Sequence, residues 1–282
     1  CFENNDGCRL LKIYLILVRV LTMVKISLAQ SPCNQVRVAV RVRPLTKSER
    51  YCKSVLEVYP PASIGVSAKH FTYDLTLDSN VLQDELFEIV SPNLLSSFLD
   101  GYNATIMAYG QTGSGKTYTI GSEVHQSENE VGLIPRFMTS IFEALESKKG
   151  SFSDEESSNL VDFSVKASFL EVYGEDVYDL LDHDRKTLAL RDDTNGGIHV
   201  VGLTARPIST AEEALEVLSQ GSLNRTTAST LMNLTSSRSH AVFTIHLTQS
   251  LRKDSIDLTV TSKFTLVDLA GSERMKKTGA VG

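Results

Sequence analysis

The stretch Ala108-Tyr109-Gly110-Gln111-Thr112-Gly113-Ser114-Gly115-Lys116-Thr117 constrains this chain more than any other. It follows an apolar run, Ala104 to Ala108, that reads as a buried strand. The spacing is Gly, four residues, Gly-Lys-Ser/Thr, the pattern of a phosphate loop. Glycines let the turn bring backbone N–H groups close to a polyphosphate with no side chains in the way. A helix that starts where the loop ends turns its positive end toward the same phosphates. Lys116 then reaches the β- and γ-phosphates, and Thr117 offers its hydroxyl to Mg²⁺. The alternative is a Gly/Ser-rich surface loop, which leaves the preceding strand and the placement of Lys-Thr unexplained.

A strand, a glycine loop and a helix in this order belong to an α/β sheet. With 282 residues, 41% of them hydrophobic, the chain can bury the core of one large α/β domain. A net charge of -6 argues against nucleic acid as the main partner of this domain. Cys1, Cys8, Cys33 and Cys52 show no CxxC spacing and suggest neither a metal site nor a disulfide framework. The chain begins with Cys1, and we read it as a fragment, a processed product or an imperfect gene model, with Met23 a potential internal start. The apolar run Leu10 to Leu28 is interrupted by Lys12, Arg19 and Lys25, which makes a poor membrane span. Residues 1–34 are therefore expected to be an N-terminal extension, disordered or non-native and dispensable, ahead of a domain over 35–282.

Val36 to Pro44 alternates polar and apolar residues and predicts a strand that stops at Pro44, with Arg41 and Arg43 on one face. Two arginines there can stack on a base or can be ordinary solvated charge. Asp78 to Gly101 has helical spacing, with Ser79 or Asn80 as cap and a kink or break at Pro92. Gly132 to Lys149 and Thr210 to Met232 predict two further helices, the second capped by Thr210 with Glu213 three positions on. Val161 to Val172 and Ile198 to Leu203 predict strands. Ala241 to Ser250 and Leu258 to Asp268 predict a hairpin turning around Arg252-Lys253-Asp254.

Two polar constellations follow. Asn233-Leu234-Thr235-Ser236-Ser237-Arg238-Ser239-His240 gathers hydroxyls and an arginine suited to sensing Mg²⁺ and a γ-phosphate. Phe264 to Asp268 is an apolar strand ending in a carboxylate, the usual second half of a phosphate-loop NTPase, where Asp268 holds Mg²⁺. Gly271 can donate its N–H to a γ-phosphate, and Glu273 lies within reach of the same site.

These residues carry a resemblance. VRVAVRVRPL, GYNATIMAYGQTGSGKTYTIG, GLIPR, FLEVYGEDVYDLL, a Gly221-to-Arg225 segment, NLTSSRSHAVFTI and LVDLAGSER together resemble a kinesin motor domain from Val36 to Arg274. GKTYTIG followed by GLIPR is similar to the chromokinesin-like subfamily. The resemblance implies a P-loop NTPase of kinesin type, a central mixed sheet flanked by helices on both faces and incomplete at the C-terminus. It implies an ATP hydrolase with ATP and Mg²⁺ as cofactors and microtubules as partner, located on the cytoplasmic cytoskeleton. It implies no membrane insertion, and dimerisation of the parent protein through a coiled coil outside this chain. By position, Arg41, Arg43, Pro44 and Tyr118 would contact the adenine, and Gly110, Gln111, Thr112, Gly113, Ser114, Gly115, Lys116 and Thr117 would cradle the phosphates. Asn233, Ser236, Ser237 and Gly271 would close on the γ-phosphate, with Thr117, Ser237 and Asp268 at the metal. Arg238 and Glu273 would form a salt bridge, and Glu273 would relay a proton from the attacking water. Gly174 to Leu203 would carry a secondary tubulin-facing lobe. The rivals are a truncated or pseudo-motor that binds without moving, and an unrelated P-loop GTPase or kinase. The second lacks the guanine-reading Asn/Thr-Lys-x-Asp.

Overall fold

The computed structural model describes residues 13–21 (as backbone), 36–49, 51, 56–122, 130–150, 159–184, 186–192, 197–231, 237–253 and 256–273. The elements in the first half are β1 Ile13–Leu21, β2 Arg37–Val42, β3 Leu56–Tyr59, β4 Ser63–Val66, β5 Lys69–Thr72, β6 Leu75–Leu77, α1 Gln83–Leu99, β7 Asn103–Gly110, α2 Lys116–Ile120 and α3 Leu133–Gly150. They are followed by β8 Asn159–Tyr173, β9 Asp176–Asp179, β10 Ala189–Asp192, β11 Ile198–Val201, β12 Arg206–Ile208, α4 Ala211–Leu231, β13 Ser239–Lys253 and β14 Ile256–Asp268.

Strand residues point alternately to opposite faces, so an apolar residue at every second position buries one face of the sheet. In β8 these are Val165, Ala167 and Phe169; in β13, Ala241, Phe243, Ile245 and Leu247; in β14, Phe264 and Leu266. Among the described residues the main sheet runs β12-β8-β13-β14-β7-β1-β2-β6, with β9 also paired to β8. β14 is parallel to β7 and β2 to β6, and the other pairs are antiparallel, so the sheet is mixed. The helices α1, α3 and α4 pack side by side on this sheet. Phe137 of α3 sits edge-on to Phe87 of α1 at 4.9 Å and to Phe264 at 4.6 Å between ring centroids. Burying each such side chain contributes about 1.5–3 kcal/mol. Gly221 lets α4 lie directly on β8, because a Cβ there would stand 2.2 Å from the Phe169 ring. On the opposite face Leu170, Val172, Val242, Thr244 and His246 are half-buried.

The local expectations are met in part. α4 starts as its sequence predicts: the Glu213 N–H donates to the Thr210 hydroxyl at 3.2 Å, and the Ser209 N–H donates to the Glu213 carboxylate at 2.6 Å. The hairpin of β13 and β14 pairs in register from Ala241↔Asp268 to Lys253↔Ile256. α1 runs through Pro92 without a break and starts at Gln83 without a side-chain cap. Asp78 instead closes a turn, accepting the Asn80 N–H at 2.7 Å. Of residues 1–34, expected to be a disordered or non-native extension, the structure describes 13–21, which form β1, and the others lie outside the described residues. Ile13–Leu21 pairs antiparallel with β2 on one side and with β7 on the other, so it lies inside the sheet. Its β-branched residues Ile13, Ile16, Val18 and Val20 suit a strand, and an interior strand gains hydrogen bonds along both edges.

Candidate active site

β7 and β14 end side by side, Ala108 opposite Asp268, and the site is built on that end. After β7 the chain turns through Gly113 at φ +71° and Gly115 at φ +98°, both left-handed, and enters α2 at Lys116. Only glycine adopts such angles without strain, which is why the loop spacing is so specific. The Lys116 ammonium is buried and donates to the carbonyls of Gly110 at 2.9 Å and Gln111 at 3.1 Å. Burial pushes it below the ordinary lysine range, against the pull of Asp268 and Glu273.

Thr117, the next residue, donates its hydroxyl to Asp268 at 2.8 Å. Asp268 is 2% exposed and also meets Ser122 at 3.4 Å and Arg225 at 3.3 Å, all through Oδ2. Its other oxygen, Oδ1, is buried and has no hydrogen-bond partner among the described residues, and the same holds for the hydroxyl of Ser114 in the loop. Buried polar atoms left this way are costly and mark places where a ligand or water completes the site.

The two polar constellations meet here. The Gly271 N–H donates to the Ser237 carbonyl at 2.8 Å, and the Ser272 N–H donates to Gly110 in the loop at 3.0 Å. The Ala270 N–H donates to His240 Nδ1 at 3.1 Å. Burial, aided by Arg225, lowers the His240 pKa, which suits a ring that accepts at Nδ1. Glu273 accepts from the Thr112 N–H at 2.8 Å and from the Thr112 hydroxyl. The Thr112 hydroxyl is the main reason that the Glu273 carboxyl lies below its usual range. Of the expected Arg238–Glu273 pair, Arg238 is exposed and Glu273 is engaged by the loop. Asn233 and Ser236 lie outside the described residues.

At the end of β2 the two arginines do not present their head groups together to solvent. Arg41 is 5% exposed and donates to Gln83 at 2.7 Å, Thr119 at 3.2 Å and the Val81 carbonyl at 3.0 Å. Its guanidinium also lies 5.7 Å from the ring centroid of Tyr118, whose side chain is partly exposed. Arg43 donates to the Gly113 carbonyl at 3.0 Å and forks onto Glu49 at 2.8 and 2.9 Å. Pro44 is exposed beside them.

Sequence reasoning gave no role to Arg225 and Glu171. Arg225 bridges Asp268 at 3.3 Å and Glu171 at 3.5 Å and donates to the Ser239 carbonyl at 3.2 Å. The signal was present. Glu171 continues the inward row Val165, Ala167, Phe169, and Arg225 continues the helical row Ala214, Leu218, Gly221. A charge at a core position of an apolar period is buried and needs a partner.

A glycine cradle with a buried lysine fits a polyphosphate. The Thr117 hydroxyl and the Asp268 carboxylate fit a hydrated Mg²⁺ that draws its other ligands from phosphate and water. Among the described residues no three acidic, His or Cys side chains gather as a protein-only metal cage.

The kinesin motor domain family model matches residues 41–282. The chain is 41% identical over 282 residues to kinesin-like protein KIF21B of Mus musculus, which covers 88% of this chain and 17% of that protein. It is 42% identical over 257 residues to chromosome-associated kinesin KIF4A of Homo sapiens, covering 88% and 20%. A solved structure of a fast kinesin, described with implications for its ATPase mechanism and interactions with microtubules, superposes with a TM-score of 0.76 at 33% identity. That superposition covers 86% of this chain and 67% of the other. The chain thus spans about a fifth of the length of these two curated relatives.

Proposed function

Because the chain belongs to the kinesin motor domain family, we propose that it binds and hydrolyses MgATP and that the whole protein is a microtubule-based motor. One observation carries the reading. Lys116, Thr117, Asp268 and the Ser237–Gly271 contact gather at one end of the parallel pair β7 and β14.

The backbone from Gly110 to Thr117 receives the phosphates. Lys116 exchanges its two carbonyl partners for phosphate oxygens, and Tyr118 and Pro44 flank the adenine while Arg41 supports Tyr118 from behind. Thr117, Asp268 and Ser237 hold Mg²⁺, which when bound neutralises phosphate charge. Gly271 donates the N–H that now serves the Ser237 carbonyl to the γ-phosphate. Glu273 leaves Thr112, pairs with Arg238 and accepts a proton from the attacking water. Asn233 and Ser236 help to close the site. Such catalysis is positioning and charge stabilisation rather than covalent chemistry.

The hairpin of β10 and β11, within Gly174 to Leu203, exposes Leu190 and Ile198 and is the proposed secondary tubulin-facing surface. The proposed location is the cytoplasmic cytoskeleton, and the parent protein is proposed to dimerise through a coiled coil outside this chain. No helix among the described residues is long and apolar enough to cross a membrane. Phosphate release by the complete motor, with and without microtubules, tests the reading. We expect release that microtubules accelerate and that Lys116→Ala abolishes. Nucleotide binding without release under either condition would favour a pseudo-motor.

A further inference from the structure

We propose that Glu49 is a positioning residue for the phosphate loop: through Arg43 it fixes the Gly113 carbonyl and holds the loop ready for phosphate. This rests on the nucleotide-binding reading above, and it gives Arg43 a role other than contact with the base.

Arg43 stands at the end of β2. Its two terminal nitrogens bond the two oxygens of Glu49 at 2.9 and 2.8 Å, and one of them also donates to the Pro44 carbonyl at 2.8 Å. A forked pair of this kind fixes the plane of the guanidinium as well as its position. The remaining donor, Nε, then points at the Gly113 carbonyl, 3.0 Å away.

Glu49 is fixed in turn. One of its oxygens accepts the Thr46 N–H at 2.9 Å and the Thr46 hydroxyl at 2.8 Å, while its own N–H donates to the Thr46 carbonyl at 2.9 Å. The side chains of Arg43 and Glu49 are 12% and 15% exposed, so the pair is largely screened from water. Hydrogen bonds from Arg43, then from Thr46, hold the Glu49 carboxyl down at about 2, so it stays ionised at any physiological pH.

The target matters because of where it sits. Gly113 is one of the two left-handed glycines of the loop, and the next N–H, that of Ser114, donates to the Gln111 carbonyl at 3.1 Å. The peptide between Gly113 and Ser114 is thus held at both ends, its carbonyl by Arg43 and its N–H by Gln111. A peptide beside glycine flips readily unless something outside the loop restrains it. The turn Thr46 to Glu49 supplies that restraint from more than sixty residues away in sequence.

Calorimetry on the complete motor, with MgATP and with magnesium tripolyphosphate as separate ligands, tests this. Glu49→Gln and Arg43→Lys are each expected to weaken both ligands by the same factor, about tenfold, consistent with loss of a charge-assisted hydrogen bond. The double variant is expected to be no weaker than the weaker single one. Amide exchange at Ser114 is expected to quicken in Glu49→Gln without ligand, at an unchanged melting temperature. Unchanged affinity for both ligands would overturn the proposal. So would a loss confined to MgATP, which would return Arg43 to the base. Failure of the unsubstituted protein to bind either ligand would instead refute the nucleotide-binding reading itself.

Discussion

Replacing Arg225 by methionine is the perturbation whose size the structure predicts most fully. Its guanidinium stands between Asp268 and Glu171, at 3.3 and 3.5 Å, and those two carboxylate side chains are each 3% exposed. Methionine fills most of the volume but leaves two buried carboxylates facing one another. Removing one partner of a buried ion pair costs about 3–5 kcal/mol, because the other charge is left uncompensated in a poorly polarisable interior. Against a total stability of about 5–15 kcal/mol, that is a large fraction. At about 2–4 °C per kcal/mol for a domain of this size, the melting temperature should fall by about 6–20 °C. Adding Glu171→Gln removes one of the stranded charges and should recover part of the loss, so the two substitutions combine non-additively. Thermal unfolding followed by circular dichroism reads all three variants. A fall of less than 2 °C for Arg225→Met, or a double variant no more stable than the single one, would refute the argument that these charges depend on one another.

Removing residues 1–30 takes away β1 and strips the backbone groups of β2 and β7 along their whole facing edges; a clear drop in melting temperature is expected, and an unchanged one would show that β1 adds nothing to the core. His246 lies opposite Lys166 and Lys263 on neighbouring strands and meets Ser168 at 3.1 Å, and burial, then the two lysines, lowers its pKa to about 4. A histidine whose folded pKa is lowered contributes stability above its unfolded value near 6.5, and that contribution is lost as pH falls toward 4. His246→Gln should therefore flatten the melting-temperature profile between those two pH values, and an identical slope in the variant would contradict this.

How far the sequence could be read depended on whether an interaction is local. The phosphate loop is local: its glycines, lysine and threonine are adjacent, and their backbone requirements are met within ten residues. The Thr210–Glu213 cap and the β13–β14 hairpin are local for the same reason. Asp268 ends the apolar strand that the sequence marks, and the parallel pairing of β14 with β7 brings it to Thr117. Arg225 and Glu171 are separated by more than fifty residues, and only the packing of α4 on β8 brings them together. Arg41 reads in the sequence as either a base contact or solvated strand charge, and the partners that bury it, Gln83 and Thr119, lie on α1 and α2. β1 is hard to see in the sequence because Lys12, Arg19 and Lys25 interrupt its apolar run, and a strand tolerates such interruptions better than a bilayer does. Pro92 predicts a kink or a break in α1, and the helix continues through it without a break, with Leu86, Leu94 and Phe98 buried on either side.

The central claim is that Gly110 to Thr117 and Asp268 form one MgATP site, and titration calorimetry with ATP in the presence of Mg²⁺ or of EDTA tests it most directly. One molecule of ATP per chain should bind in Mg²⁺, binding should weaken strongly in EDTA, and Lys116→Ala should abolish it. ATP binding that survives Lys116→Ala undiminished, at the same stoichiometry, would contradict the account.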